Sequence, residues 1–141
     1  MLPPDLLAAL GPTWPAVLDA LRPAAVRPLW ATVDFDRSDS PSSPLPDSHL
    51  LGARIRAAHP GSDSGVLLGE PSTEGPLAAF LARHGEGWAA AYALVDRVST
   101  TSLKAAGLRL STPAEGPLGP ERRVLGGSRF GPFILVASRP R

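Results

Sequence analysis

The side chains that most often bind metals or act as nucleophiles are scarce in this sequence and lie far apart. There are three histidines, His49, His59 and His84, and there is no cysteine, asparagine or glutamine. The sequence therefore offers no thiolate ligand, no cysteine nucleophile and no side-chain amide that could stabilise an oxyanion. Each histidine lies beside turn or loop residues, where contact with solvent is the usual role. We predict no metal site and no cofactor.

Two glycine-containing segments are similar to functional loops but lack a defining residue. The segment 61–65 has Asp63 where the nucleophile elbow of hydrolases has serine, so we interpret it as a hairpin turn. The segment 126–131 lacks the Gly-Lys-Ser/Thr of a P-loop and the strand-to-helix context of a dinucleotide-binding loop. We interpret it as the connection between the last two strands, and the sequence leaves the catalytic residues unknown.

Composition limits the class of protein. The 141 residues, 43% of them hydrophobic, suffice for one domain spanning 1–141 with a core of its own. The net charge of +1 comes from interleaved signs, without the basic block that follows a phosphate backbone, so nucleic acid is not an expected partner. No signal peptide and no run of about 18 apolar residues is present, which predicts a cytoplasmic protein without a membrane partner.

Hydrophobic spacing and turn residues predict an alternation of strands and helices. Helices are predicted at 13–22, 76–83 and 99–106, and strands at 29–35, 50–58, 65–68, 88–95, 108–110, 122–125 and 132–138. The Ser/Pro/Asp-rich segment 38–48 is interpreted as a loop, and the apolar run 5–11 fits either a strand or a helix. This order predicts an α+β fold made of two βαβββ units.

Two stretches carry a resemblance to a known family. Residues 75–96 contain an apolar helix, an Arg-His-Gly-Glu-Gly turn, an apolar strand and a Val-Asp pair, and residues 103–110 contain a helix end, a glycine and the start of a strand. From 70 to 138 the order of these motifs resembles the vicinal oxygen chelate superfamily, which includes glyoxalase, methylmalonyl-CoA epimerase-like and bleomycin resistance-like proteins. Residues 5–21 match the family's opening strand and helix more loosely.

The resemblance implies a glyoxalase-like cup made of two modules. Module one would span about 1–71, the linking helix about 72–86 and module two about 87–141. Enzymes of this family hold a divalent metal in the cup through His, Gln or Glu side chains on four strands. The matching positions here are Leu6, Leu67, Ala90 and Leu135. All four are hydrocarbon, so the resemblance implies a cup that has lost its metal ligands.

An apolar cup would suit an apolar ligand. In a strand, alternate residues share a face, so Trp88, Ala90 and Tyr92 are predicted to line the cup together. The predicted ligand-binding residues are Leu6, Leu67, Trp88, Ala90, Tyr92, Phe133 and Leu135. We therefore predict a metal-independent glyoxalase-like protein that binds a small hydrophobic or aromatic molecule, with plain core packing as the alternative for these side chains.

Two other functions remain open at this level. One is a metal-free isomerase or lyase-type enzyme, whose acid or base would come from Tyr92, Glu70, Asp96 or a histidine. The other is a degenerate subunit whose role is to form a homodimer. Arg122 and Arg123 are candidates for an anionic anchor at the rim of the cup, although the neighbouring Glu121 favours a solvated strand edge.

Overall fold

Helices and strands alternate along most of the chain. The computed structural model describes residues 2–37, 42–58, 65–97, 100–125 and 131–138. The helices are α1 (Pro4–Leu10), α2 (Thr13–Leu21), α3 (Pro76–His84) and α4 (Thr100–Ala105), with a 3₁₀ turn at Phe35–Arg37. The strands are β1 (Ala25–Ala31), β2 (Ser42–Ser48), β3 (Ala53–Ala58), β4 (Leu67–Pro71), β5 (Gly87–Val95), β6 (Arg109–Leu110), β7 (Glu121–Leu125) and β8 (Phe133–Ser138).

The eight strands form one sheet in the order β2-β3-β4-β1-β5-β8-β7-β6. Each half of the sheet has the same internal order, since β1 pairs in parallel with β4 and β5 pairs in parallel with β8. The two halves meet where β1 pairs antiparallel with β5. This arrangement confirms the predicted α+β fold. The predicted first helix is α2, which precedes β1, and between β1 and β2 the described residues contain the short 3₁₀ turn.

The N-terminal segment differs from the family pattern, because Pro4–Leu10 is a helix and not an opening strand. Proline in the first turn and Asp5 beside the helix N-terminus both favour a helix. Gly11, with a φ of 67°, then ends it in a conformation that glycine adopts without strain. The first strand of the sheet is therefore β1, which follows both N-terminal helices in the chain.

The second correction concerns the predicted loop at 38–48. Its part from Ser42 to Ser48 is β2, an edge strand that pairs with β3 in the register Leu45 to Ile55. Two prolines obscure this strand in the sequence, since proline disfavours central strands but is tolerated at a sheet edge. Residues 38–41 lie outside the described residues. Residues 59–64 and 126–130, which include most of the two predicted glycine-containing loops, also lie outside them.

The sheet separates two apolar clusters. We call the side bearing Leu29, Leu67, Ala90, Tyr92 and Leu135 the cup face; α3 and Leu51 pack against it. The other side, which we call the opposite face, bears Ala91, Ala93, Ile134 and Val136 and is covered by α1 and α2. Apolar side chains therefore form most of both layers. None of the described helices is long and apolar enough to span a bilayer.

Close packing of the cup face explains why position 69 is a glycine. Gly69 pairs with Ala31 on β1, and a Cβ added to it would lie 3.0 Å from methyl carbons of both Leu29 and Leu77. A side chain at this position would push α3 away from the sheet. The glycine therefore lets the linking helix approach the cup face closely.

Candidate functional site

Five of the seven predicted ligand-binding residues come together on the cup face. Strand register places Ala90 opposite Phe133 and Tyr92 opposite Leu135, while Leu67 joins the same cluster from β4. Leu67, Ala90, Tyr92 and Leu135 have no solvent-accessible surface, and Phe133 is 2% exposed. In this conformation neither bulk water nor a water-sized void touches the first four side chains.

Leu6 does not belong to this group. It lies on α1 and is fully buried in the cluster of the opposite face. The position on the first strand is taken by Leu29, whose Cα pairs with Leu67 on one side and with Ala90 on the other. The prediction for Leu6 was wrong because an apolar heptapeptide does not reveal whether it is a strand or a helix.

Trp88 also lies on the other side of the sheet from its predicted partners. The register between β1 and β5 shifts at Leu29 and Trp30, so that Trp30 pairs with Trp88 and Ala89 is left unpaired. This β-bulge turns Trp88 toward the opposite face, where its ring meets that of Trp30 edge-on at 5.1 Å between centroids. Strict alternation predicted the wrong face because an extra residue reverses every side chain beyond it.

The four strand positions at the centre of the cup carry only hydrocarbon side chains. They are Leu29, Leu67, Ala90 and Leu135: register places Leu67, Leu29 and Ala90 side by side on β4, β1 and β5, and Leu135 on β8 lies one cup-facing position along, beside Tyr92. Across the described part of the chain, no three His, Cys, Asp or Glu side chains come together in a group that could hold a metal ion. The donor set that divalent metals require does not exist on this face as described.

A buried polar network lies at one end of the cup face. The Ser48 hydroxyl donates to Glu121 Oε2 at 2.6 Å, and the Tyr92 hydroxyl donates to Glu121 Oε1 at 3.1 Å. The Leu51 backbone N–H donates to the Ser48 hydroxyl oxygen at 3.2 Å, which fixes that side chain. Glu121 and Tyr92 are completely buried. The network thus joins β2 of the first half to β5 and β7 of the second.

The network changes the acidity of its members. Burial raises the pKa of Glu121 to about 7, although hydrogen bonds from Ser48 and Tyr92 partly oppose the effect. Burial, and then the charge of Glu121, raise the pKa of Tyr92 well above its usual value. A carboxyl group that titrates near neutrality beside a phenol has the acidity needed for proton transfer.

Glu121 was expected at a solvated strand edge, and the structure buries it instead. In β7, Glu121 and Arg123 point to the cup face, while Arg122 lies on the opposite face. Arg123 is half-buried, with its guanidinium 4.6 Å from the centroid of the Phe133 ring. Alternation along β7 from Val124 could have predicted that Glu121 and Arg123 share the cup face. It could not have predicted the burial of Glu121, because the sequence of the strand does not show whether a loop covers it.

The segment 112–120 covers the network. Ala114 and Glu121 exchange backbone hydrogen bonds of 2.9 and 2.8 Å, and the His49 N–H donates to the Glu115 carbonyl at 3.1 Å. A Cβ on the buried Gly116 would overlap the Glu121 carboxylate. Leu118 is half-buried and packs against the cup cluster. The chain's own residues therefore close this end of the cup.

The other acid and base candidates lie away from the network. Glu70 accepts hydrogen bonds from Arg54 and from the Phe35 N–H, and β4 places it on the opposite face. The His84 ring lies against Phe80, with 4.8 Å between centroids. His49 and Asp96 lie on the surface, and His59 is outside the described residues. Among the candidates that the structure describes, Tyr92 is the one with a titratable partner within the cup.

The fold is found in solved structures of known proteins. Methylmalonyl-CoA epimerase from Mycobacterium tuberculosis has a TM-score of 0.68 at 19% identity, covering 82% of this chain and 87% of that chain. A hypothetical protein from Bacillus halodurans has a TM-score of 0.65 at 17% identity, covering 82% and 93%. Streptomyces coelicolor methylmalonyl-CoA epimerase, as a variant in complex with 2-nitronate-propionyl-CoA, has a TM-score of 0.62 at 16% identity, covering 82% and 96%.

These neighbours establish the architecture. The epimerases belong to the vicinal oxygen chelate superfamily, so the eight-stranded sheet described above is a glyoxalase-like fold. No protein-family model matches the chain, and no curated protein sequence matches it significantly. At these identities the similarity extends to the fold and leaves the activity to be argued from the site.

Proposed function

We propose that this protein is a metal-independent glyoxalase-like protein that binds a small apolar or aromatic molecule in its cup. The observation that carries the proposal is the set of hydrocarbon side chains at the centre of four adjacent strands, where enzymes of this fold hold their metal. Ala90 contributes only a methyl group to the floor of the cup, and Phe133 lies beside it as an aromatic wall. Such a lining favours an apolar ligand and provides no ligand for a divalent cation.

Entry of the ligand requires the segment 112–120 to move. The segment is held by a few backbone hydrogen bonds, by the buried Pro117 and by the half-buried Leu118, so opening it exposes the apolar area of two side chains. A ligand that occupies the place of Leu118 would cover the apolar surface that opening exposes to water. The solved neighbours support small-molecule binding by this fold, because one of them holds a coenzyme A ester analogue.

The proposal is tested with naphthalene and 2-naphthol as neutral aromatic probes, using isothermal titration calorimetry. We expect Leu118→Ala to bind them several-fold more tightly than the parent, because the variant removes the side chain that competes with the ligand. The matched control is Val33→Ala, since Val33 is 53% exposed, and its affinity should equal that of the parent. Absence of saturable binding by both the parent and Leu118→Ala would refute the proposal.

A metal-free acid–base enzyme is the second candidate, and the contact between Tyr92 and Glu121 favours it. Burial raises the pKa of the Glu121 carboxyl to about 7 next to a phenol hydroxyl, and a substrate that takes the place of the segment 112–120 would have to keep water away from the carboxyl to preserve this acidity. The two candidates are separated by incubating 2-naphthol with the protein in D₂O, because an acid–base catalyst would accelerate exchange of the carbon-bound hydrogen beside the hydroxyl group. Exchange at the rate found in buffer supports the binding protein, whereas accelerated exchange that disappears in Glu121→Gln supports the enzyme.

A further inference from the structure

A groove with a cationic rim runs along α4, on the side of the sheet away from the cup. We call it the α4 groove. It has a volume of about 750 Å³ and is lined by Thr101, Leu103, Lys104, Ala105, Leu108, Arg109, Leu110 and Arg122. This volume is in the range of small-molecule binding sites. Neither the proposed cup ligand nor the Glu121 network involves these residues.

A tight reversal after α4 builds the groove. The Gly107 N–H donates to the Lys104 carbonyl at 3.0 Å, and the Leu108 N–H donates to the Leu103 carbonyl at 2.8 Å. Gly107 has a φ of 77°, which glycine adopts without strain. The strand β6 therefore starts directly beside the end of the helix, with Lys104 and Arg109 on either side of the reversal.

The strands β6 and β7 form the side of the groove that faces α4. Leu110 pairs with Val124, and Arg122 lies two residues earlier on the same face of β7. The floor is apolar, because Leu103 is 1% exposed and Leu108 and Leu110 are half-buried members of the opposite-face cluster. Helix and inner strand thus each direct one cation, Lys104 and Arg122, to a shared apolar trough, and Arg109 of the edge strand lies at its border.

The charges that border the groove are of one sign. Among the described residues that line it, three are basic and none is acidic. The salt bridge described for this chain joins Arg54 to Glu70 and involves none of the three. Arg122 is half-buried, so an anion beside it would be less screened by water than one on the open surface.

We propose that the α4 groove binds a small organic anion consisting of a hydrocarbon chain or ring with a carboxylate head. The hydrocarbon would lie on the three leucines, and the carboxylate would accept hydrogen bonds from the surrounding cations, with Arg122 able to form a two-bond contact. The groove has a concave apolar floor bordered by cations. A small amphipathic anion could contact both the floor and the cations, whereas a flat anionic partner such as a membrane would contact the cations alone.

The probe is octanoate, compared with octanamide and octylammonium by isothermal titration calorimetry at low salt. We expect octanoate to bind at least ten-fold more tightly than octanamide, octylammonium to show no binding, and added salt to weaken octanoate binding. Equal affinity for octanoate and octanamide would overturn the proposal. Binding to anionic phospholipid vesicles without binding to octanoate would overturn it as well.

Variants then locate the site. Arg122→Gln and Lys104→Gln should each weaken octanoate binding five-fold or more, while circular dichroism and thermal unfolding confirm that they fold. The matched control is Arg83→Gln, since Arg83 is an exposed arginine on α3 at the cup face. Octanoate affinity that is the same in the parent and both groove variants would place the anion elsewhere and reject the α4 groove as its site.

Discussion

Glu121 is the residue whose environment differs most from its appearance in the sequence. It is an acidic side chain without solvent contact, held by the hydroxyl groups of Ser48 and Tyr92. Removing an ionised carboxylate from water costs free energy that two neutral hydrogen bonds offset only partly. The protonated form is therefore favoured in the folded protein, and folding is linked to the protonation of this group.

This linkage predicts that stability falls as pH rises. The pKa of Glu121 is raised to about 7 in the folded state from 4.5 in the unfolded state. The contribution of Glu121 to the unfolding free energy is fully present below its pKa in the unfolded state. This contribution is lost as the pH rises through its pKa in the folded state. Across this window the shift corresponds to about 3 kcal/mol of unfolding free energy. Urea unfolding from pH 4.5 to pH 8 measures it.

The matched variant for this prediction is Glu121→Gln, which keeps a hydrogen-bonding side chain of similar size without a titratable group. Its unfolding free energy should vary less with pH than that of the parent between 4.5 and 7. The difference between the two proteins isolates Glu121 from every other group that titrates in this range. Parallel pH profiles for parent and variant would show that Glu121 does not titrate as described.

At the scale of elements, α1 and α2 change how the sheet is covered. They precede the first strand and pack on the opposite face, where α1 contacts β5 and α2 contacts α4. The two N-terminal helices therefore stabilise the second half of the sheet, although they are joined to the first. Leu6 serves this packing and is not part of the cup.

Truncation of Leu6 should cost stability and leave the cup unchanged. Leu6 is completely buried, so Leu6→Ala is expected to lower the unfolding free energy by about 2–5 kcal/mol through lost burial and a residual cavity. Leu7→Ala on the same helix is the control, because Leu7 is 39% exposed and should cost less than about 1 kcal/mol. Denaturant unfolding of both variants provides the comparison. Equal losses would contradict the packing of α1.

At the scale of the whole molecule, the chain has a glyoxalase-like sheet whose central described positions carry hydrocarbon side chains. Apolar residues at the centre remove the need to bury several convergent charges without a cation. The buried polar groups that remain on the cup face are at its end, where Ser48, Tyr92 and Glu121 satisfy one another. The fold is thus held together by a continuous apolar layer that crosses both halves of the sheet.

The proposed metal independence predicts that divalent metal salts leave the stability unchanged. In thermal unfolding, Zn²⁺, Mn²⁺, Ni²⁺, Co²⁺ and Mg²⁺ salts are each expected to give no saturable stabilisation. A ligand that binds the native state stabilises it in proportion to the logarithm of its concentration, so specific binding would be visible in the titration. A saturable gain above about 1 kcal/mol that a chelator reverses would contradict the prediction.

Local patterns predicted the second half of the fold closely. The helix at 76–83, the strand at 88–95 and the final strand at 132–138 all correspond to observed elements within one residue at each end. These segments are apolar runs with glycine or proline at or next to an end, so residues close in the chain indicate where each element begins or ends. The edge strand β2 was missed because pairing with β3 stabilises it against the preference of its prolines.

The sequence by itself determined that Leu67, Ala90 and Leu135 are apolar members of strands, because their segments are apolar and bounded by turn residues. Only the tertiary structure decided which side chains meet. It placed Leu29 where Leu6 was expected, turned Trp88 away through a bulge, and buried Glu121 beneath a loop. Each of these outcomes depends on contacts between residues that are distant in the chain. Hydrophobic periodicity and composition carry information about residues close in the chain, so they do not predict such contacts.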